Sequence, residues 1–261
     1  MPLPLEAAPP AGMRILFIVA HPDDIEFGAA GSAARWAAHG AHITYCIVTN
    51  GAAGSNDPAV TRDWLIAARE AEQRAAAAAV GVQDVCFLGH EDGTLEPTIA
   101  LRRELTRVIR QVRPDRVVIL DPTTILVSSD KFDYINHPDH RAAAEAALYA
   151  IFPSAETRPI FPDLLAEGLE PHHVTEVYLL MSERPNIAVD ITPYFERKID
   201  ALLQHRTQVN DSIVDLVRGW DSEGAAAAGA EGVTYAETFR VMRFPVNVPG
   251  PIPPEPGMTE A

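Results

Sequence analysis

Cysteine is scarce in this chain, with two residues, Cys46 and Cys86, among 261. Both sit inside apolar runs, which argues against a disulfide framework or a thiolate metal cage and predicts small buried thiols. Long apolar stretches are also missing, so no segment is expected to cross a membrane. Basic charge falls well short of acidic, 21 Lys and Arg against 36 Asp and Glu, for a net charge of -15. A chain so acidic lacks the basic face that nucleic-acid recognition requires, and the surplus otherwise speaks only to solubility. The Pro/Ala-rich start, Met1 to Gly12, has no basic n-region of a secretion signal. A cytoplasmic protein with a flexible lead-in over residues 1–12 is expected.

What is present suits one large domain. Hydrophobic residues make up 47% of the chain, enough to bury a sizeable core. No internal repeat is visible. Apolar, β-branched runs alternate with longer helix-like stretches, the rhythm of a parallel sheet covered by helices. Strands are expected at Arg14 to Ala20, His42 to Thr49, Asp84 to Leu88, Arg116 to Leu120, Val174 to Leu180 and Ile187 to Val189. Helices are expected at Ala29 to Ala38, Thr61 to Val80, Leu101 to Val112, from His137-Pro138 to about Ile151, and Pro193 to His205. The fold class is α/β: a single-domain, Rossmann-like, three-layer fold over residues 13–244, its mainly parallel sheet flanked by helices. The proline- and glycine-rich residues 245–261 read as a flexible tail.

In open α/β sheets the ligand crevice lies beyond the carboxyl ends of the strands, and the segments following the first four strands carry polar clusters. They are His21-Pro22-Asp23-Asp24, Asn50-Gly51, Gly89-His90-Glu91-Asp92-Gly93, and Asp121-Pro122 with a long loop to His137. Two of these regions hold a recurring pattern, His21-Pro22-Asp23-Asp24 and His137-Pro138-Asp139-His140. Either alone could be a turn or helix cap. Together, at the end of one strand and the start of a distant helix, they exceed what capping needs. On a strand-to-helix turn His21 and Asp24 can aim at one point with Asp23 beside it. His137 and His140, three apart on the first turn of a helix, can face the same cleft. His21, Asp24 and His140 then form a set of two imidazoles and one carboxylate with a coordination position left open, the pattern of catalytic zinc. Fe(II) suits the same ligands.

These motifs, with GHEDG (Gly89 to Gly93), RPDRVV (Arg113 to Val118), KIDALLQHRTQ (Lys198 to Gln208) and YAETFR (Tyr235 to Arg240) in the same order, resemble the PIG-L/LmbE-like family of zinc-dependent N-acetylglucosaminyl deacetylases. The resemblance runs from about Arg14 to Arg243. It implies His21, Asp24 and His140 as metal ligands, Asp23 as general base acting on a metal-bound water, and His137, oriented by Asp139, as the group that stabilises the oxyanion. It also implies Arg69 and Asp92 as sugar contacts, although Arg69 could equally be an exposed helix residue paired with Glu72. The chain departs from the family at Ala30, where a middle glycine is frequent, and at Ala52 and Ala53, where an acidic residue is frequent. The expected reaction is hydrolysis of an N-acetyl or other N-acyl group on an amino sugar or sugar-bearing small molecule. Homo-oligomers are common by analogy with the family. A non-catalytic binding module of the same fold is the alternative, and a metal-dependent phosphoesterase, which would show two metals and more carboxylates, ranks below it.

Overall fold

The computed structural model describes residues 1–128 and 133–244. The chain runs β1 (Arg14–Val19), α1 (Asp24–Gly28), α2 (Ala30–Ala38), β2 (His42–Thr49), α3 (Arg62–Ala79), β3 (Asp84–His90), α4 (Ile99–Val112) and β4 (Arg116–Leu120). A small antiparallel hairpin of β5 (Leu126–Ser128) and β6 (Asp133–Ile135) follows, then α5 (Pro138–Tyr149) and α6 (Pro162–Ala166). The last part contributes β7 (Glu176–Leu180), β8 (Ile187–Asp190), α7 (Phe195–Leu202), α8 (Ile213–Ala228) and β9 (Ala236–Arg243). The expected Rossmann-like α/β architecture is what forms: one seven-stranded sheet of order β3-β2-β1-β4-β7-β9-β8. The first five of these strands are mutually parallel, and β9 runs antiparallel to both of its neighbours.

Strands covered on both faces need continuous apolar sequence, and β1 and β4 supply it as RILFIV and RVVIL, nearly every residue buried. Right-handed crossovers place α2 and α3 on one face and α4 and α5 on the other. The direction of the chain across the sheet reverses between β1 and β4, so the crevice opens above the carboxyl ends of that pair. The segment after β1 is the first His-Pro-Asp cluster. The second opens α5, which packs against β1 and β4.

The lead-in expected to be flexible has fixed partners. Leu5 bridges to Ala188, extending the sheet past β8. Glu6 is buried, accepting from Arg116 Nη1 at 2.6 Å, Trp36 Nε1 at 2.8 Å and the Tyr178 hydroxyl at 3.0 Å. A buried arginine at the start of β4 requires a counter-charge, and residue 6 provides it alongside Glu176. Cys46 is fully buried. Its in-register neighbour Cys86 is only partly so, because β3 is the sheet's edge strand. Among the described residues no helix is long and apolar enough to cross a membrane. The tail expected over residues 245–261 lies outside the described residues.

Candidate active site

Asp23 sits between the end of β1 and α1 with φ of 101° and ψ of -23°, a left-handed conformation that is strained for a residue with a Cβ. It occupies the N-cap of α1, yet its side chain makes no capping hydrogen bond. Capping therefore does not account for it. Asp24 splits its two oxygens: Oδ2 accepts the His21 amide at 2.8 Å and closes the turn, while Oδ1 lies 3.0 Å from His140 Nε2 and 3.8 Å from His21 Nδ1. His140 Nδ1 is 3.0 Å from Asn136 Oδ1, and the Asn136 amide is oriented in turn by donating to Thr124 O at 2.9 Å. With Nδ1 committed to that oxygen, His140 presents Nε2 toward Asp24, so the two atoms face the same point and could share a cation.

His21 meets a second group of anions through its other nitrogen. Its Nε2 is 3.1 Å from Asp92 Oδ1 and 3.3 Å from Asp139 Oδ2. Asp139 is fully buried and also accepts the backbone N–H groups of Gly93 at 2.7 Å and Leu95 at 3.1 Å, pinning the loop after β3 to the start of α5. The carboxylate expected to orient His137 is thus directed mainly at His21, with 4.0 Å separating its Oδ1 from His137 Nδ1. His137 caps α5 and is held instead by the Asp139 backbone, whose N–H donates to Nδ1 at 3.2 Å. The His21 ring lies 4.7 Å from that of His137 and 5.1 Å from that of His140, centroid to centroid. Among the described residues two overlapping sets could hold a metal ion, His21-Asp24-His140 and His21-Asp92-His137-Asp139.

The electrostatics follow from anions crowded into a buried space. Burial works against a charged His21, but the carboxylates of Asp139, Asp24 and Asp92 outweigh it and push the imidazole up to about 12. Burial would raise Asp24 as well, yet the His140 and His21 imidazoles hold it well below the usual carboxylate range. Asp23 goes the other way. Burial and the neighbouring Asp24 lift it to about 6 against the opposing pull of Arg69. His137 is lowered, first by burial and then by the neighbouring His21 imidazole. Because Nδ1 accepts from the Asp139 backbone, a neutral His137 ring carries its proton on Nε2 and is a donor there.

Arg69 is buried and turned into the site, so the exposed-pair reading with Glu72 does not hold. Glu72 bonds instead to Thr207, accepting from its amide at 2.9 Å and its hydroxyl at 2.7 Å. The guanidinium donates to Gly51 O at 2.9 Å, Pro22 O at 2.7 Å and Asp23 Oδ2 at 3.2 Å, and lies 3.9 Å from Asp92. It ties the loop after β2 to the loop after β1. Gly51 and Gly54 make room for it, since a Cβ on either would come within 2.9 or 2.7 Å of the guanidinium. Asp92 spends its oxygens on His21 and on the Ala53 amide, which it accepts at 2.9 Å. His90 pairs with Glu104 and His205 with Glu26, and neither histidine belongs to the groups that could hold a metal ion. Sequence reasoning missed Asn136, Gln73 and Glu26. Their one signal was position, Asn136 one helical turn before His140 and Glu26 two residues after Asp24.

Residues 16–151 match the family model described as PIG-L, GlcNAc-PI de-N-acetylase. The chain is 31% identical over 232 residues to a diacetylchitobiose deacetylase of Thermococcus kodakarensis, covering 87% of this chain and 82% of that protein. It is 27% identical over 213 residues to a probable N-acetyl-α-D-glucosaminyl L-malate deacetylase of Bacillus anthracis, covering 80% and 87%. Among solved structures, the N,N'-diacetylchitobiose deacetylase of Pyrococcus horikoshii in complex with an inhibitor superposes with a TM-score of 0.80 at 29% identity, covering 88% of this chain and 84% of that one.

Proposed function

We propose that this chain, which belongs to the PIG-L family of de-N-acetylases, removes the N-acetyl group from a small molecule containing N-acetylglucosamine, using a divalent ion held by His21, Asp24 and His140. The observation that carries the proposal is the convergence of Asp24 Oδ1 with His140 Nε2 at 3.0 Å and His21 Nδ1 at 3.8 Å, beside an Asp23 carboxylate that caps nothing. The competing donor set is less suited to a metal. Asp139 and Asp92 already accept backbone N–H bonds and the His21 Nε2 proton, which makes them the outer partners that orient a ligating imidazole. Two imidazoles and one carboxylate are the donors of a catalytic zinc site with an open position. Bound there, zinc would polarise the acetamide carbonyl and lower the pKa of water to about 7.

The chain's own groups supply the proton chemistry. Asp23, lifted to about 6, is ionised at neutral pH yet close enough to it to be an effective base. It takes a proton from the attacking water as the new C–O bond forms. His137 Nε2–H donates to the carbonyl oxygen as negative charge gathers there, an interaction of about 3 kcal/mol for a donor of this kind. The departing amine must regain a proton, and Asp23, protonated by the first step, holds one. Arg69 and Asp92 act on this reading by keeping Asp23 and His21 in place.

The test is metal content and amine release from N-acetylglucosamine and diacetylchitobiose, measured on the wild type and Asp23→Ala. About one zinc per chain in both, with turnover in the wild type alone, is the expected result. Failure of the wild type to bind any divalent ion would remove the metal assignment.

A further inference from the structure

Gln73 lies midway along α3, in an alanine-rich run where the sequence offers no reason to single it out. Its side chain is completely buried and both ends of its amide are committed. Oε1 accepts the backbone N–H of Asp23 at 2.9 Å, and Nε2 donates to Glu26 Oε1 at 3.0 Å. Glu26, also completely buried, meets His205 Nε2 through its other oxygen at 3.2 Å. The chain of contacts runs from the end of α7, through α1 and α3, to one amide in the site.

That amide belongs to a residue in a conformation that needs holding. Asp23 has φ of 101°, and side-chain-bearing residues keep such values only where their surroundings impose them. As the N-cap of α1, its N–H is outside the helix's own hydrogen-bond ladder. Arg69 grips the carbonyl of Pro22 and the Asp23 carboxylate but leaves the amide alone. Rotation of the backbone toward ordinary φ would swing that N–H off Gln73 and carry the carboxylate with it.

We propose that Gln73, itself held by Glu26 and His205, is the positioning residue that locks the Asp23 backbone and so aims its carboxylate. The inference rests on Asp23 being the proton acceptor of the proposed reaction. A residue that merely fills space would affect folding. A positioning residue affects kcat and leaves substrate affinity and metal content alone.

The experiment compares the wild type with Gln73→Met, which keeps shape and loses both hydrogen bonds, and with the double variant Gln73→Glu/Glu26→Gln, which keeps an acceptor for the Asp23 N–H, lets the residue 26 amide donate back to residue 73 and conserves the charge. Readouts are kcat and KM for amine release, zinc content, and hydrogen exchange of the Asp23 amide followed by NMR. Expected for Gln73→Met are a kcat at least tenfold lower, unchanged KM and zinc content, and Asp23 exchange at least tenfold faster. The double variant Gln73→Glu/Glu26→Gln should restore the protection and most of kcat. Wild-type kcat or wild-type Asp23 protection in a folded, zinc-loaded Gln73→Met protein overturns the proposal. Should Gln73→Met fail to fold, the double variant Gln73→Glu/Glu26→Gln decides, and loss of Asp23 protection in that folded variant overturns it too. Absence of turnover in the wild type would count against the substrate reading, while the amide exchange still judges Gln73.

Discussion

Replacing Asp23 by asparagine should make the metal-free protein more stable while abolishing its activity. Burial, with a contribution from Asp24 and against the pull of Arg69, lifts this carboxyl from its ordinary 3.8 to about 6. At about 1.36 kcal/mol per tenfold change in proton affinity, the rise corresponds to about 3 kcal/mol. The sign follows from the raised value. The folded state holds the proton more tightly than the unfolded one, so this favourable contribution is complete below pH 3.8, diminishes above it and is lost as pH passes about 6. At pH 7.5 the wild type bears the cost of an ionised Asp23, and Asn, neutral and of the same shape, does not. Asn also tolerates positive φ better than most residues, so the strained turn should survive. Urea unfolding with a chelator present should show Asp23→Asn more stable by about 1 to 3 kcal/mol at pH 7.5, with the difference vanishing near pH 4. Turnover of the zinc-loaded variant should fall by about 10²- to 10⁴-fold, the usual worth of a general base. An Asn variant that is less stable at pH 7.5, or that keeps a tenth of wild-type turnover, would refute the assignment of Asp23 as a strained, desolvated base.

Three further outcomes follow from specific contacts. Asn136→Ala removes the acceptor for His140 Nδ1 and should weaken zinc affinity by about 10- to 100-fold, read by competition with a chromogenic chelator. Glu6→Ala removes one counter-charge of the buried Arg116 and two further hydrogen bonds. With Glu176 still in place it should cost about 2 to 4 kcal/mol in urea unfolding, without change in turnover, since it lies at the opposite end of the strands from the site. The two glycines of α8 should respond in opposite directions in thermal unfolding. A Cβ at Gly224 would sit 2.1 Å from the Ala236 carbonyl oxygen, whereas one at Gly219 meets nothing within 4 Å. Gly224→Ala should therefore destabilise by about 1 to 3 kcal/mol, and Gly219→Ala stabilise by up to about 1 kcal/mol.

Those glycines also show where the sequence stops being readable. The central strands announce themselves because a strand covered on both faces needs a continuous apolar run, and Ile15 to Val19, Tyr45 to Val48 and Val117 to Leu120 supply it. The helix α8 went unread because Gly219 and Gly224 weaken its local signal, and at Gly224 the reason is the approach of β9, from a later part of the chain. The same division holds at the site. His21, Asp24 and His140 could be picked out because proline-flanked imidazole and carboxylate clusters are chemically unusual, whichever way the chain folds. The direction of Asp139 toward His21, the burial of Arg69 and the grip of Gln73 on a strained amide are relations between segments far apart in sequence. Each of these side chains has an ordinary reading on its own element, as a helix-start acid, an exposed arginine or a helix-favouring glutamine. What selects the other reading is the tertiary packing that removes water from them. A buried polar group must then find its partner wherever the fold has placed one, and in this chain the partners lie in the loops that converge above β1 and β4.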